Sequence, residues 1–270
     1  MDKIIADNDK NLPDGKKKRV LYHIGHYGFL SKMLLHKMAY HKNDDIIFVL
    51  NLSACSEKTR EFASGWNKRN SDIGKMYGYF ERAFMHGPNV HSLENEIVSS
   101  FDGFFKKNQM SIENFDKIYS GVDTTNAFGV YLSIKDMKYT LFDLAGTSVQ
   151  KDSFYDLSRC PERELAYWGT MKKYRALSAD SESVSSIIWD ASRKYIGKEG
   201  CVLNYVQMQK DLNEQERNRL GSVFFDNDKE ISGSGVLIVM RSGGAVTISK
   251  VKNMNIFYHG RNERSIHTDC

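Results

Sequence analysis

Four short polar clusters each follow an apolar run, and each carries residue types able to hold or act on a ligand. The first is His23, Gly25, His26, Tyr27 and Gly28. Glycine lets the backbone approach a ligand, and the helix that follows would offer N–H groups and partial positive charge to an anion. The spacing is GxxG, not GxGxxG, and no acidic residue marks the end of the next strand, so a dinucleotide fingerprint is not supported. No third ligand is spaced with His23 and His26, and no metal site is expected. The second cluster is Asp123, Thr124, Thr125 and Asn126, whose hydroxyl, carboxylate and amide groups suit either a sugar or the cap of the next helix. The third is Asp143 with Gly146 and Thr147. A carboxylate at the mouth of a cleft can take a proton from an acceptor hydroxyl; the same residue can also make an Asx turn. The fourth is Arg241, Ser242, Gly243 and Gly244, able to hold a nucleotide phosphate through Arg241 and backbone N–H groups, or to form a plain turn.

These clusters need a scaffold that brings them together. Short apolar runs ended by polar or glycine residues predict buried strands at 19–25, 45–50, 115–121 and 139–143. Helical spacing of apolar residues predicts helices at 30–40, 57–69, 74–84, 92–107 (with Ser92 as N-cap), 127–134, 163–177 and 181–195. Strand-like runs return near 201–206, 233–244 and 255–261. Strands alternating with helices pair in parallel. The expected fold is α/β, a Rossmann-like parallel sheet flanked by helices, with the start of a second α/β domain. In such sheets ligands sit outside the carboxyl ends of the strands. The premise is geometric: the loops after strands ending near Tyr22, Tyr119 and Phe142 must meet at one rim.

The expected layout is a tail over 1–17, a Rossmann-like domain over 18–232, and an incomplete second domain over 233–270, read as an interrupted chain. Composition is that of a globular protein: 270 residues, 41% hydrophobic, 27% charged, with a formal charge of +4. That small surplus argues against duplex nucleic acid and suits an anionic small molecule. Cys55, Cys160, Cys201 and Cys270 make no CxxC pair, which fits a reducing compartment. The polar start lacks an apolar leader core, so a cytoplasmic protein is expected; the basic run at 16–19 leaves peripheral contact with the inner face of the cell membrane open, as it leaves a homo-oligomer open. The aromatic residues Tyr77, Tyr79, Phe80, Tyr167 and Trp168 could stack on sugar rings, but at helical spacing such residues more often fill a core.

In this order the clusters resemble those of bacterial GT-B glycosyltransferases, in particular the sialyltransferase and polysialyltransferase families that build lipooligosaccharide and capsule. The Ser120-Gly-Val-Asp-Thr-Thr-Asn loop is similar to their Gly-Asp-rich loop. The segment from Leu141 to Ser148 is similar to a motif whose aspartate is the catalytic base, and the role carries to Asp143. In the family the glycine directly follows the acidic residue, whereas here Leu144 and Ala145 intervene; the family's His-Pro pair is absent from the chain. The resemblance implies a GT-B N-terminal domain on the acceptor side and inverting, metal-independent transfer. No cofactor is implied beyond a nucleotide sugar as donor substrate, and the other partner is a glycan acceptor. Transfer of pyruvyl or glycerol phosphate on a similar fold, or a non-catalytic binding or scaffolding domain, are the alternatives.

Overall fold

The computed structural model of the protein describes residues 17–81, 89–121, 126–143, 157–176, 181–190, 200–203, 211–224, 236–240 and 255–259. Seven strands form one sheet: β1 (Arg19–Ile24), β2 (Asp45–Asn51), β3 (Lys75–Tyr79), β4 (Lys117–Gly121), β5 (Tyr139–Asp143), β6 (Val184–Asp190) and β7 (Gly200–Leu203). Their order is β3-β2-β1-β4-β5-β6-β7, and every pairing is parallel. Parallel neighbours cannot be joined by a hairpin, so the chain crosses back through helices. These are α1 (Leu30–Tyr40), α2 (Glu57–Arg69), α3 (Val90–Lys107), α4 (Ala127–Ile134) and α5 (Leu165–Lys173). The parallel α/β architecture expected from the alternating pattern is the one observed.

Both faces of the sheet are covered, which is why its central strands read as continuous apolar runs. On one face Leu21, Ile47 and Val49 pack with Leu93, Ile97, Phe101 and Phe105 of α3 and Phe128 and Tyr131 of α4. The α3 residues recur every four positions and so form a single stripe. On the other face Tyr22 stacks on Phe48 at 5.5 Å and on Tyr119 at 4.9 Å between ring centroids. Trp66 of α2 closes this layer edge-on to Phe48 at 5.7 Å.

Two segments expected to be helical are strands. Residues 74–84 contain β3, which pairs with β2 from Ile47↔Lys75 to Asn51↔Tyr79. The aromatic i, i+3 spacing of Tyr77 and Phe80 mimics a helical stripe, but Gly74 and Gly78 weaken a helix and Tyr77 and Tyr79 suit a pleated surface. The Asn67 side chain anchors the strand, accepting from Met76 N–H at 2.7 Å and donating to Met76 C=O at 2.8 Å. Gly74 starts it at φ 154°, where a Cβ would lie 2.8 Å from Ile46 Cβ. Residues 181–195 contain β6, whose Val-Ser-Ser-Ile-Ile-Trp run is rich in β-branched and aromatic side chains. At α3 the cap differs from Ser92: Asn89 accepts from Ser92 N–H at 2.9 Å, and the helix begins at Val90. Asparagine caps as well as serine does, and it stands one turn earlier.

The chain divides into two compact units, Met1–Leu212 and Asn213–Cys270. The second contains α6 (Glu214–Phe224) and a separate two-stranded parallel sheet of β8 (Val236–Met240) and β9 (Asn255–His259). The change of sequence pattern at Gly233 falls within this second unit. Residues 1–16 lie outside the described residues.

Candidate functional site

The chain lays β2 and β3 on one side of β1, then returns to lay β4 to β7 on the other. In open parallel sheets such a reversal of strand order marks the place where ligands bind, beyond the carboxyl ends of the two strands. Ile24 of β1 stands opposite Gly121 of β4, and Gly121 opposite Phe142 of β5. Gly25 N–H donates to Gly121 C=O at 2.7 Å, clamping the ends of β1 and β4 together. The strands ending near Tyr22, Tyr119 and Phe142 therefore do finish at one rim.

Gly25 is buried, His26 exposed, and Tyr27 and Gly28 half-buried. The His26 ring accepts from Gly28 N–H at 3.1 Å and caps the short 3-10 turn Tyr27–Phe29 that leads into α1. Burial, then the nearby Cys55, pushes the Tyr27 hydroxyl up to about 12, so it stays a neutral donor. Packing here is close: a Cβ on Gly121 would lie 2.5 Å from Phe29 Cδ1 and 2.7 Å from Met33 Cε.

His23 is not on the rim but beneath it. It is fully buried; Nδ1 is 2.8 Å from Ser120 Oγ and Nε2 is 2.7 Å from the Tyr79 hydroxyl. Burial pushes its imidazole down to about 3, so it is neutral. Tyr79 donates onward to Glu81 Oε2 at 3.3 Å. The Tyr79 oxygen is then left to accept, which assigns the proton to His23 Nε2 and makes Nδ1 the acceptor of the Ser120 hydroxyl. This inward setting occupies both ring nitrogens and leaves His23 supporting the rim rather than lining it.

The chain of bonds ends on Glu81, which is 2% exposed. Its carboxylate accepts from Asn51 Nδ2 at 2.7 Å, Tyr167 OH at 3.1 Å and Ala127 N–H at 2.6 Å, besides Tyr79. Ala127 opens α4, so the carboxylate also lies at that helix's positive end. Asn126 lies just before it, buried, accepting from Gly129 N–H at 2.8 Å and donating to Ala176 C=O at 2.5 Å. Asn126 thus serves as helix cap and as a tie to the turn after α5. One carboxylate and one amide fix the start of α4 relative to β2, β3 and α5.

Sequence reasoning does not single out Asn51 or Glu81, and it does not link Ser120 or Tyr79 to His23. Asn51 was findable: it ends β2 after an apolar run, as the first cluster ends β1. Glu81 was hidden because 74–84 reads as helix, which conceals that it follows a strand end. Asp143 ends β5 opposite Trp189 of β6. Asp123, Thr124, Thr125, Gly146, Thr147, Arg241, Ser242, Gly243 and Gly244 lie outside the described residues; the last four follow directly on β8. Among the described residues no group of three or more His, Cys, Asp or Glu could hold a metal, and no helix is long and apolar enough to cross a membrane.

No family model and no curated protein matches the sequence. Among solved structures the chain is similar to Arabidopsis thaliana UGT89C1 complexed with quercetin, at 11% identity and a TM-score of 0.36 over 65% of this chain and 44% of that one. The same plant protein complexed with UDP-L-rhamnose gives 9% identity and a TM-score of 0.35 over 65% and 46%. The chain spans less than half the length of that protein. At these TM-scores the likeness assigns neither family nor ligand.

Proposed function

We propose that the chain is the acceptor-side part of a GT-B glycosyltransferase. In this reading it moves a sugar, sialic acid being the candidate, from a nucleotide sugar to a glycan acceptor in surface-polysaccharide synthesis. The observation that carries the reading is the reversal of strand order between β1 and β4, with β5 and its terminal Asp143 as the next strand along. Open parallel sheets bind ligands at that position, and an aspartate at a strand end there supports a general-base reading. Asp143 would take the acceptor hydroxyl's proton as the oxygen attacks the anomeric carbon, with the nucleotide diphosphate or monophosphate leaving from the opposite side. The 25–28 turn and the 123–126 segment would hold the acceptor, and Arg241 to Gly244 would hold the nucleotide.

The test is hydrogen exchange on the protein with a panel of nucleotide sugars and acceptor glycans. Protection at 25–28 and 241–244 is the expected result. Uniform indifference across the panel would remove the transferase reading in favour of a scaffold.

A further inference from the structure

A concave surface lies at the amino edge of the sheet, opposite the rim. The first residues of β1, β2 and β3 and the last turn of α3 enclose a cleft of about 410 Å³. Strand periodicity builds it: Arg19, Asp45 and Lys75 are in phase with Leu21, Ile47 and Tyr77, on the face that lies under α3. The helix ends at Lys107, and the chain reverses through Gln109 at φ 57°, leaving the wedge open.

Three cations from three elements line this wedge: Arg19, Lys75 and Lys107. Asp45 is the one carboxylate among the described lining residues, and it is already engaged, its Oδ2 3.2 Å from Arg19 Nε. Arg19 is also held from behind. Its backbone N–H donates to Asp116 Oδ2 at 2.7 Å, and its guanidinium lies 5.2 Å from the centre of the Phe115 ring. Lys75 and Lys107 are exposed and meet no carboxylate among the described residues. A lysine in the last turn of α3 is ordinary complementarity to the helix dipole. Its convergence with Lys75 and a pre-oriented Arg19 in one concavity is not needed for that purpose.

The geometry points to a phosphate-binding site in this cleft. A fixed guanidinium offers directed donors, two flexible ammonium groups offer point charge, and together they suit a dianionic phosphate better than a single carboxylate. The volume exceeds that of a bare ion and falls in the range of small-ligand sites of ~300–1,000 Å³. The ligand class is therefore a phosphomonoester, carried either by a small molecule or by a lipid headgroup. The site is separate from the carboxyl rim and stands or falls independently of it.

Two arms distinguish the sources. In the first, glycerol 3-phosphate is titrated into the whole chain at low salt. In the second, the chain is sedimented with phosphatidylcholine vesicles with and without phosphatidic acid. The same assays are run on the double variant Lys75→Glu/Lys107→Glu, whose exposed positions leave folding intact as judged by an unchanged thermal midpoint. Lys58→Glu, a single charge reversal on the first turn of α2 away from the cleft, is the control. Binding in at least one arm is expected, with protection from exchange at 75–77 and 107–110. The double variant should bind about tenfold more weakly or worse, and the control as the parent does. No binding in either arm, equal binding by the double variant, or an equal loss in the control would each overturn the site.

Discussion

His23 on β1 and Tyr79 on β3 are joined by a 2.7 Å hydrogen bond although β2 runs between their strands. The two side chains meet above β2, on the face covered by α3 and α4, where the His23 ring also lies 4.4 Å from that of Phe128. The bond is one link in a series from Ser120 through His23 and Tyr79 to Glu81. Each link is buried, so each member depends on the next for its hydrogen bond.

Glu81→Ala should be among the most destabilising single changes in the first unit. It strips an acceptor from Asn51, Tyr79, Tyr167 and Ala127 at once. Each stranded buried donor costs about 1–3 kcal/mol, with less than full additivity, so a loss of about 3–5 kcal/mol is expected. Urea unfolding measures it; a loss under about 1 kcal/mol would show that the hub carries little.

Stability should decline with acidification starting near neutral pH. Burial pushes His23 down to about 3, and burial followed by the neighbouring His41 holds His36 well below its ordinary value. Unfolded, both rings titrate near pH ~6.5, so the unfolded chain binds more protons below that point. Their contribution is complete above ~6.5 and is lost as pH falls from there, for His23 down to about 3, at about 1.4 kcal/mol per pH unit for each ring. Urea midpoints between pH 7.5 and 5.5 test this, and His36→Gln should flatten the slope by about one proton. A flat profile in the parent protein would contradict the neutral assignment.

Gly121→Ala should disturb the rim from within. Its Cβ would meet Phe29 and Met33 at under 3 Å, and although the methionine end can move, the phenylalanine ring is packed. Overpacking of this kind costs about 1–3 kcal/mol. Faster amide exchange across 25–30 is expected along with the lost stability. An unchanged exchange pattern there would mean that the turn does not lean on β4.

Asp143→Asn, made in a protein that also supplies the donor-binding half, should lower kcat by about 10²–10⁴-fold with little change in the unfolding midpoint. Turnover at the parental rate would exclude Asp143 as the base.

How far the sequence reveals this molecule depends on the strand. Arg19–Ile24, Asp45–Asn51, Lys117–Gly121 and Tyr139–Asp143 were legible because burial on both faces makes them plain apolar runs with polar residues just beyond. β3 and β6 were not. β3 is a peripheral strand with an e-B-i-e-B burial pattern that alternates poorly, and β6 begins Val-Ser-Ser, so neither presents a continuous run. A helical reading of 74–84 hides that Tyr79 faces His23 and that Glu81 follows a strand end. The turn holding exposed His26 and half-buried Gly28 is legible from local chemistry alone, whereas the buried residues beneath it need the strand order.

The clamp between β1 and β4 has a bearing on how the molecule comes into being. His23 and Ser120 are separated by 97 positions, yet their strands are immediate neighbours at the centre of the sheet. A chain emerging from the ribosome can join β1, β2 and β3 early, but β1 then presents a bare apolar edge until β4 is released. Pairings across such spans form slowly and expose sticky surface while they wait. The rim between β1 and β4 is thus completed only when that late strand docks, and soluble yield should improve wherever translation is slowed or a chaperone shields the open edge.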